Sequence, residues 1–131
     1  MARDIVATKR APMAVGPYSQ AVCVDGLVFI SGQLPIDPVS GSLLDNGIGE
    51  QTRQILGNLE AILEAAGQSL TDIVKTTVYM RDMGDFAAMN EAYGESFPDA
   101  PPARACLEAR RLPKDAAVMI DCIAAQPRPK S

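Results

Sequence analysis

The chain of 131 residues contains no histidine and no tryptophan. Without imidazole there is no Ser–His or Cys–His nucleophilic pair, no imidazole general base and no histidine-ligated zinc. Aromatic residues make up 5% of the chain, too few to build a stacking platform for nucleic-acid bases. Positive charge is also scarce. Twelve Lys and Arg against 16 Asp and Glu leave a net charge of −4 and a pI near 4.7, so the electrostatic footprint of a nucleic-acid binder is missing and no nucleic-acid partner is expected. Cysteine is limited to Cys23, Cys106 and Cys122, an odd number with no C-x-x-C spacing. Each falls in an apolar, strand-like run, where a reduced and buried side chain is expected, and a reducing, cytoplasmic setting follows as the expectation. No apolar run is long enough to span a bilayer, and "MARDIVATKRAP" lacks a signal-like apolar core, so no membrane association is expected. Gly-rich phosphate loops of the G-x-x-x-x-G-K-[ST] or G-x-G-x-x-G kind do not occur.

What is present reads as an ordinary globular chain, 47% hydrophobic and 21% charged, of a length that buries one core: a single domain, 1–131. Tyr18–Val24 and Leu27–Gln33 are strand-like, and Asp25-Gly26 between them suits a type I′ hairpin turn. Ile48, Thr52, Ile55, Leu56, Leu59, Ile62, Leu63 and Ala66 recur at helical steps, predicting a helix over Ile48–Ala66 with Gly67 as its stop. Asp72–Met80 is rich in β-branched residues and reads as a strand. Asp85 is placed to cap a second helix over Phe86–Phe97, closed by Pro98. A strand opening near Arg104 and another over Ala117–Ala125 read as a final hairpin around Leu112-Pro113-Lys114-Asp115. The predicted class is α+β, in the order β-β-α-β-α-β-β, with both helices on one face of a mixed sheet. In the last strand Val118, Ile120 and Cys122 alternate with Met119, Asp121 and Ile123, so the second sheet face is also partly apolar and predicts a homo-oligomer.

Basic residues cluster at Arg104, Arg110, Arg111 and Lys114, with Glu108 and Asp115 interleaved. That pattern is a mixed solvated face for all but Arg104, which enters the sheet behind two prolines where an arginine calls for an anion.

Four phrases occur in order between about Ile5 and Ala125: "GPYSQA", "FISGQLPIDPVSG", "DIVKTTVYMRDMGDFAAMNEAY" and "PPARACLEARRLPKDA". Together they resemble the RidA (YjgF) family. The resemblance implies a chorismate-mutase-like fold assembled as a homotrimer, with clefts between subunits lined by both neighbours. It also implies hydrolysis of reactive 2-imino and 2-enamino acids, such as 2-iminobutanoate and 2-iminopropanoate, to 2-oxo acids and ammonia, with no metal or organic cofactor. Carried over by position, the implied cleft residues are Tyr18, Ser31, Gly32, Asn90, Arg104 and Cys106. Their chemistry suits the substrate. A guanidinium can grip a carboxylate through two parallel hydrogen bonds, backbone N–H groups near Gly32 or Cys106 can extend the cradle, and Tyr18 and Asn90 can bound and orient the reacting centre.

One position departs from the resemblance. The family carries a glutamate in the last strand, assigned to handle the attacking water; counted from Leu112-Pro113-Lys114-Asp115, that position is Met119. A thioether cannot accept a proton or hold water firmly, and general acid–base help is worth about 10²–10⁴-fold, so a slowed deaminase is expected. Asp121 is a candidate substitute acid on the same strand face, about 6–7 Å further along. The alternative is a trimeric binder or sensor of small 2-oxo carboxylates with little or no catalysis.

Overall fold

Three strands precede the first helix: β1 (Asp4–Val6), β2 (Ala21–Val24) and β3 (Leu27–Gln33). Asp25 and Gly26 have φ of 50° and 79°, the two positive values a type I′ turn requires, and they fold β3 back antiparallel on β2. The computed structural model describes residues 3–126. After β3 come α1 (Ile48–Ala65), β4 (Ile73–Met80), α2 (Phe86–Gly94), β5 (Ala103–Glu108) and β6 (Val118–Ala125). The α+β class stands, with one strand more than expected. β1 has three residues paired to the outer edge of β2, too few to show an alternation in sequence.

The sheet runs β1-β2-β3-β6-β4-β5, which corrects the final hairpin. β5 and β6 are not neighbours, because β4 lies between them, parallel to β5 and antiparallel to β6. The reason lies in α2. A helix linking two strands on one sheet face delivers the second strand parallel to the first, so β5 takes the outer edge of β4. The chain then arches over the end of β4 and returns as β6 on its other side. The arch is sewn to β4 by Ala109 N–H donating to Met80 O at 2.8 Å and Arg81 N–H to Ala117 O at 3.0 Å.

Several boundaries also move. β2 starts at Ala21 rather than Tyr18, and before it the pairing with β3 reduces to Ser31 N–H donating to Gln20 O at 3.0 Å. α2 ends at Gly94 rather than Phe97. Asp85 sits at its N-cap position without a capping hydrogen bond, while Asp82 caps the turn before it through Gly84 N–H at 2.8 Å. α1 stops as expected: Gly67 has φ 78°, and Gln68 N–H reaches back to Leu63 O at 2.8 Å with Gly67 N–H on Glu64 O at 3.0 Å, the paired bonds of a left-handed helix stop.

Both helices lie on one face. From α1, Ile55, Leu59, Ile62 and Leu63 are fully buried against Val28, Ile30, Val78, Val118 and Ile120 of the sheet, and α2 adds Met89 and Tyr93. The opposite face is uncovered, with Ile5, Phe29 and Leu107 among its exposed apolar side chains. No helix among the described residues is long and apolar enough to cross a membrane.

One buried amide fixes the loop after β3. Asn58 of α1 is 1% exposed; its amide donates to Leu34 O at 3.3 Å and Ile36 O at 3.0 Å, and its carbonyl accepts from Gln54 at 3.0 Å. Asn58→Leu strands two carbonyls, so a loss of about 2–3 kcal/mol is expected. Urea unfolding measures it, and a loss below about 0.5 kcal/mol would show that the loop holds without the amide.

Candidate functional site

The residues singled out in the sequence fall into two groups. On the helix-covered side, β5 places Arg104 opposite Thr76 and Cys106 opposite Val78 of β4. Thr76 and Val78 are core residues with no exposure, so Arg104 and Cys106 emerge on the same face, under α2. Arg104 donates from Nη1 to Asn90 Oδ1 at 2.8 Å. Its guanidinium lies 4.9 Å from the Tyr93 ring centroid and 5.6 Å from that of Phe86, within cation–π range. Tyr93 is itself fixed, its hydroxyl 2.7 Å from Thr76 Oγ1. Among the described residues the ion pairs are Arg10–Glu64, Arg53–Glu50, Arg53–Glu95 and Arg111–Asp115. Arg104 is in none of them, so its charge is oriented by neutral groups.

The second group lines a cleft of about 600 Å³ around the start of β6 and the end of β3. Its walls include Tyr18, Ser31, Gly32, Met119 and Asp121. A shift in the β3–β6 register between Ile30 and Gln33 takes Ser31 and Gly32 out of the regular ladder. The Ser31 hydroxyl donates to Ser19 O at 2.6 Å, which commits its proton to the backbone. Over Gly32 the space is taken: a Cβ there would lie 2.9 Å from Met119 Sδ. The methionine thus packs directly on the glycine expected to offer backbone to an anion. Asp121 Oδ2 accepts from the Tyr79 hydroxyl at 3.0 Å. Burial, with this bond second, pushes the Tyr79 phenol above its ordinary value. Among the residues lining the cleft Asp121 is the one carboxylate and Lys114 the one amine.

The two groups do not meet within one chain. Strand pairing puts Met119 and Asp121 opposite Tyr79 and Thr77, on the uncovered face, whereas Arg104 is on the covered one. Two inter-strand steps separate β6 from β5, about 10 Å.

Reading residue types alone missed two contributors. Gln20, 5% exposed, pins the segment before β2: its amide donates to Thr8 O, Ala11 O and Pro12 O at 3.0, 3.3 and 2.7 Å, and its carbonyl accepts from Thr8 N–H at 2.7 Å. Its signal was a polar residue at the mouth of an apolar strand. Tyr93 follows Asn90 by three residues on one helical face, which marks it as able to share Asn90's partner.

All three cysteine thiols are shifted towards the protonated form. Burial raises the Cys106 thiol despite the opposing pull of Arg104, burial and then Asp4 raise Cys23, and burial pushes Cys122 up to about 12.

The chain matches the family model described as Endoribonuclease L-PSP over residues 8–126. It is 51% identical to a RutC family protein of Pyrococcus horikoshii over 122 residues, 93% of this chain and 97% of the relative. It is 47% identical over 126 residues to the 2-iminobutanoate/2-iminopropanoate deaminase of Capra hircus, covering 96% of this chain and 92% of the relative. Its fold is similar to that of E. coli TdcF with bound serine, with a TM-score of 0.91 at 42% identity, covering 95% of this chain and 99% of that one.

Two outcomes follow from this geometry. Because all three thiols are raised, the thiolate fraction at pH 8 lies below that of a free thiol, and an aromatic disulfide reagent should modify the native protein slowly; one fast, stoichiometric reaction would contradict it. Gly32→Ala should displace the flexible Met119 side chain at a cost below about 1 kcal/mol. Thermal unfolding of Gly32→Ala and of Gly32→Ala/Met119→Ala checks this, since relief of the cost in the double variant is the mark of that contact.

Proposed function

The chain belongs to the RidA (YjgF) family, and from that premise we propose that it hydrolyses reactive 2-imino and 2-enamino acids, such as 2-iminobutanoate and 2-iminopropanoate, to 2-oxo acids and ammonia. The observation that carries the proposal is the guanidinium of Arg104, held by Asn90 and the Tyr93 ring with no carboxylate partner among the described residues. An arginine has five N–H donors. Asn90 takes one, which leaves donors for a bidentate grip on a substrate carboxylate.

In this reading the reaction proceeds by addition and elimination. Water oxygen bonds to C2, the C=N π pair passes to nitrogen, and nitrogen gains a proton, giving a carbinolamine. The C–N bond then breaks, the nitrogen leaves as ammonia after a second proton shift, and the remaining hydroxyl becomes the 2-oxo group. Positive charge at the carboxylate keeps C2 electron-poor through the addition. Tyr18 bounds the cleft, Ser31 and Gly32 shape it, and the Cys106 backbone lies on the Arg104 side of the site. Met119 supplies no proton relay, so the water-handling step falls to Asp121, the cleft's one carboxylate, or to solvent. The rate is reduced accordingly.

The same geometry supports assembly. Arg104 and the cleft stand on opposite sheet faces of one chain, so a complete site needs Arg104 from one copy beside the cleft of another. A homotrimer with clefts between subunits meets that need and covers the apolar open face. The thioether at Met119 favours a second reading, a trimer that binds small 2-oxo carboxylates with little turnover. Ribonuclease action, named by the family description, fits poorly with an acidic chain that lacks histidine.

Decay of 2-iminobutanoate and 2-iminopropanoate, followed against buffer, separates the readings. Arg104→Ala should lower kcat/KM by about 10²-fold or more, equivalent to one or two charge-assisted hydrogen bonds, with the trimer mass unchanged in light scattering. Met119→Glu should raise kcat. A wild-type rate equal to buffer, together with 2-oxo acid binding, would leave the binder.

A further inference from the structure

The segment from Ala11 to Tyr18 has no regular secondary structure, yet it is fixed. The buried Gln20 amide ties it at Thr8, Ala11 and Pro12. Further on, the Tyr18 hydroxyl accepts from Val15 N–H at 3.4 Å, and Tyr18 N–H donates to Gly16 O at 2.8 Å. This strap displays Met13, Val15 and Tyr18, exposed by 76%, 77% and 49%. Scattered exposed apolar residues are ordinary. Three on one short, pinned segment, all lining the same cleft, form a wall. Met119 faces the cleft on β6, and Leu34 and Ile36 line it from the loop that Asn58 fixes.

A cleft of about 600 Å³ is of a size class that encloses ligands several times larger than a three-carbon acid. Its walls are mostly hydrocarbon and sulfur. A substrate bearing only a methyl group leaves that wall wet, whereas a longer apolar chain removes it from water.

We infer that the cleft selects its substrate by side chain and prefers 2-imino acids with an extended apolar side chain, such as an isobutyl group, over those with methyl or ethyl. Met13, Val15 and Met119 determine this specificity, and Gln20 is a positioning residue that holds the strap against the cleft. The inference rests on the proposal that 2-imino acids occupy this cleft, and adds which of them fit. The methionine that costs the site a water-handling group is, on this account, part of the surface that reads the side chain.

Calorimetric titration of the full-length protein with pyruvate, 2-oxobutanoate and 4-methyl-2-oxopentanoate tests it, the 2-oxo acids standing for the corresponding imines. Each methylene removed from water is worth about fourfold in affinity. Three added carbons thus set a ceiling of about 60-fold if fully buried, and a cleft open on one side should give about tenfold. In Met13→Ser/Val15→Ser the ratio should fall towards one, chiefly through weaker binding of 4-methyl-2-oxopentanoate. Met119→Gln should lower the ratio as well. Gln20→Ala should flatten it without shifting pyruvate affinity, which a general loss of stability would not do. Equal affinity across the series, or a preference that survives Met13→Ser/Val15→Ser, overturns the selection and leaves carboxylate binding intact. Failure of all three acids to bind overturns the underlying reading and the selection with it.

Discussion

A β-strand can give only alternate residues to each side of a sheet, and the organisation of this molecule follows from how β6 and β5 obey that rule. On β6, Val118, Ile120 and Cys122 go to the helices, which leaves Met119 and Asp121 for the open side. On β5, Arg104 pairs with Thr76 and is drawn to the helix side. The pleat therefore splits the arginine proposed to grip the substrate carboxylate from the cleft proposed to hold the rest of the substrate. No rotamer change repairs a division set by the backbone. In the proposed assembly a second copy of the chain joins the halves, and the uncovered apolar face offers the surface by which it docks.

The two halves are also chemically unlike. Around Arg104 the groups are an amide oxygen and two aromatic rings, which orient a guanidinium without neutralising it. Around Met119 the walls are hydrocarbon and sulfur, with one carboxylate already receiving a phenol proton. The first half has the chemistry to meet charge and the second to meet apolar side chains. A 2-imino acid has one end of each kind, so under the proposed function its two ends fall to two protein copies rather than to two parts of one pocket.

Much of this was legible in the chain, for local reasons. The Asp25-Gly26 turn, the apolar stripe of α1 and the Gly67 stop depend on short-range sterics and periodicity, and they form where the sequence indicates. The neighbours of β5 and β6 could not be read that way. A nine-residue link between two strands looks like a hairpin until α2 is recognised as a crossover that sends β5 to the far edge. The site shows the same limit. Arg104 stood out because a charge entering a sheet is unusual, and Asn90 emerged through the family likeness. Gln20 and Tyr93 act through distant backbone and side-chain partners, and the packing of Met119 on Gly32 depends on a register shift that no single strand reveals.

The position of β6 at the middle of the sheet has a consequence for how the molecule comes into being. Its partners, β3 and β4, belong to segments made much earlier: a hairpin at one end of the chain and a strand–helix–strand unit after α1. Until the last strand leaves the ribosome, each of these pieces has an unpaired edge with apolar residues beside it, the condition in which nascent chains stick to one another. The keystone arrives last. Pairings as distant as Ile30 with Cys122 carry a large loop-closure cost before they yield any contact. Of the strand pairings in this sheet, β3 with β6 is thus the one that closes the longest loop, and the eight residues of β6 join two parts of the chain that are otherwise unpaired to each other.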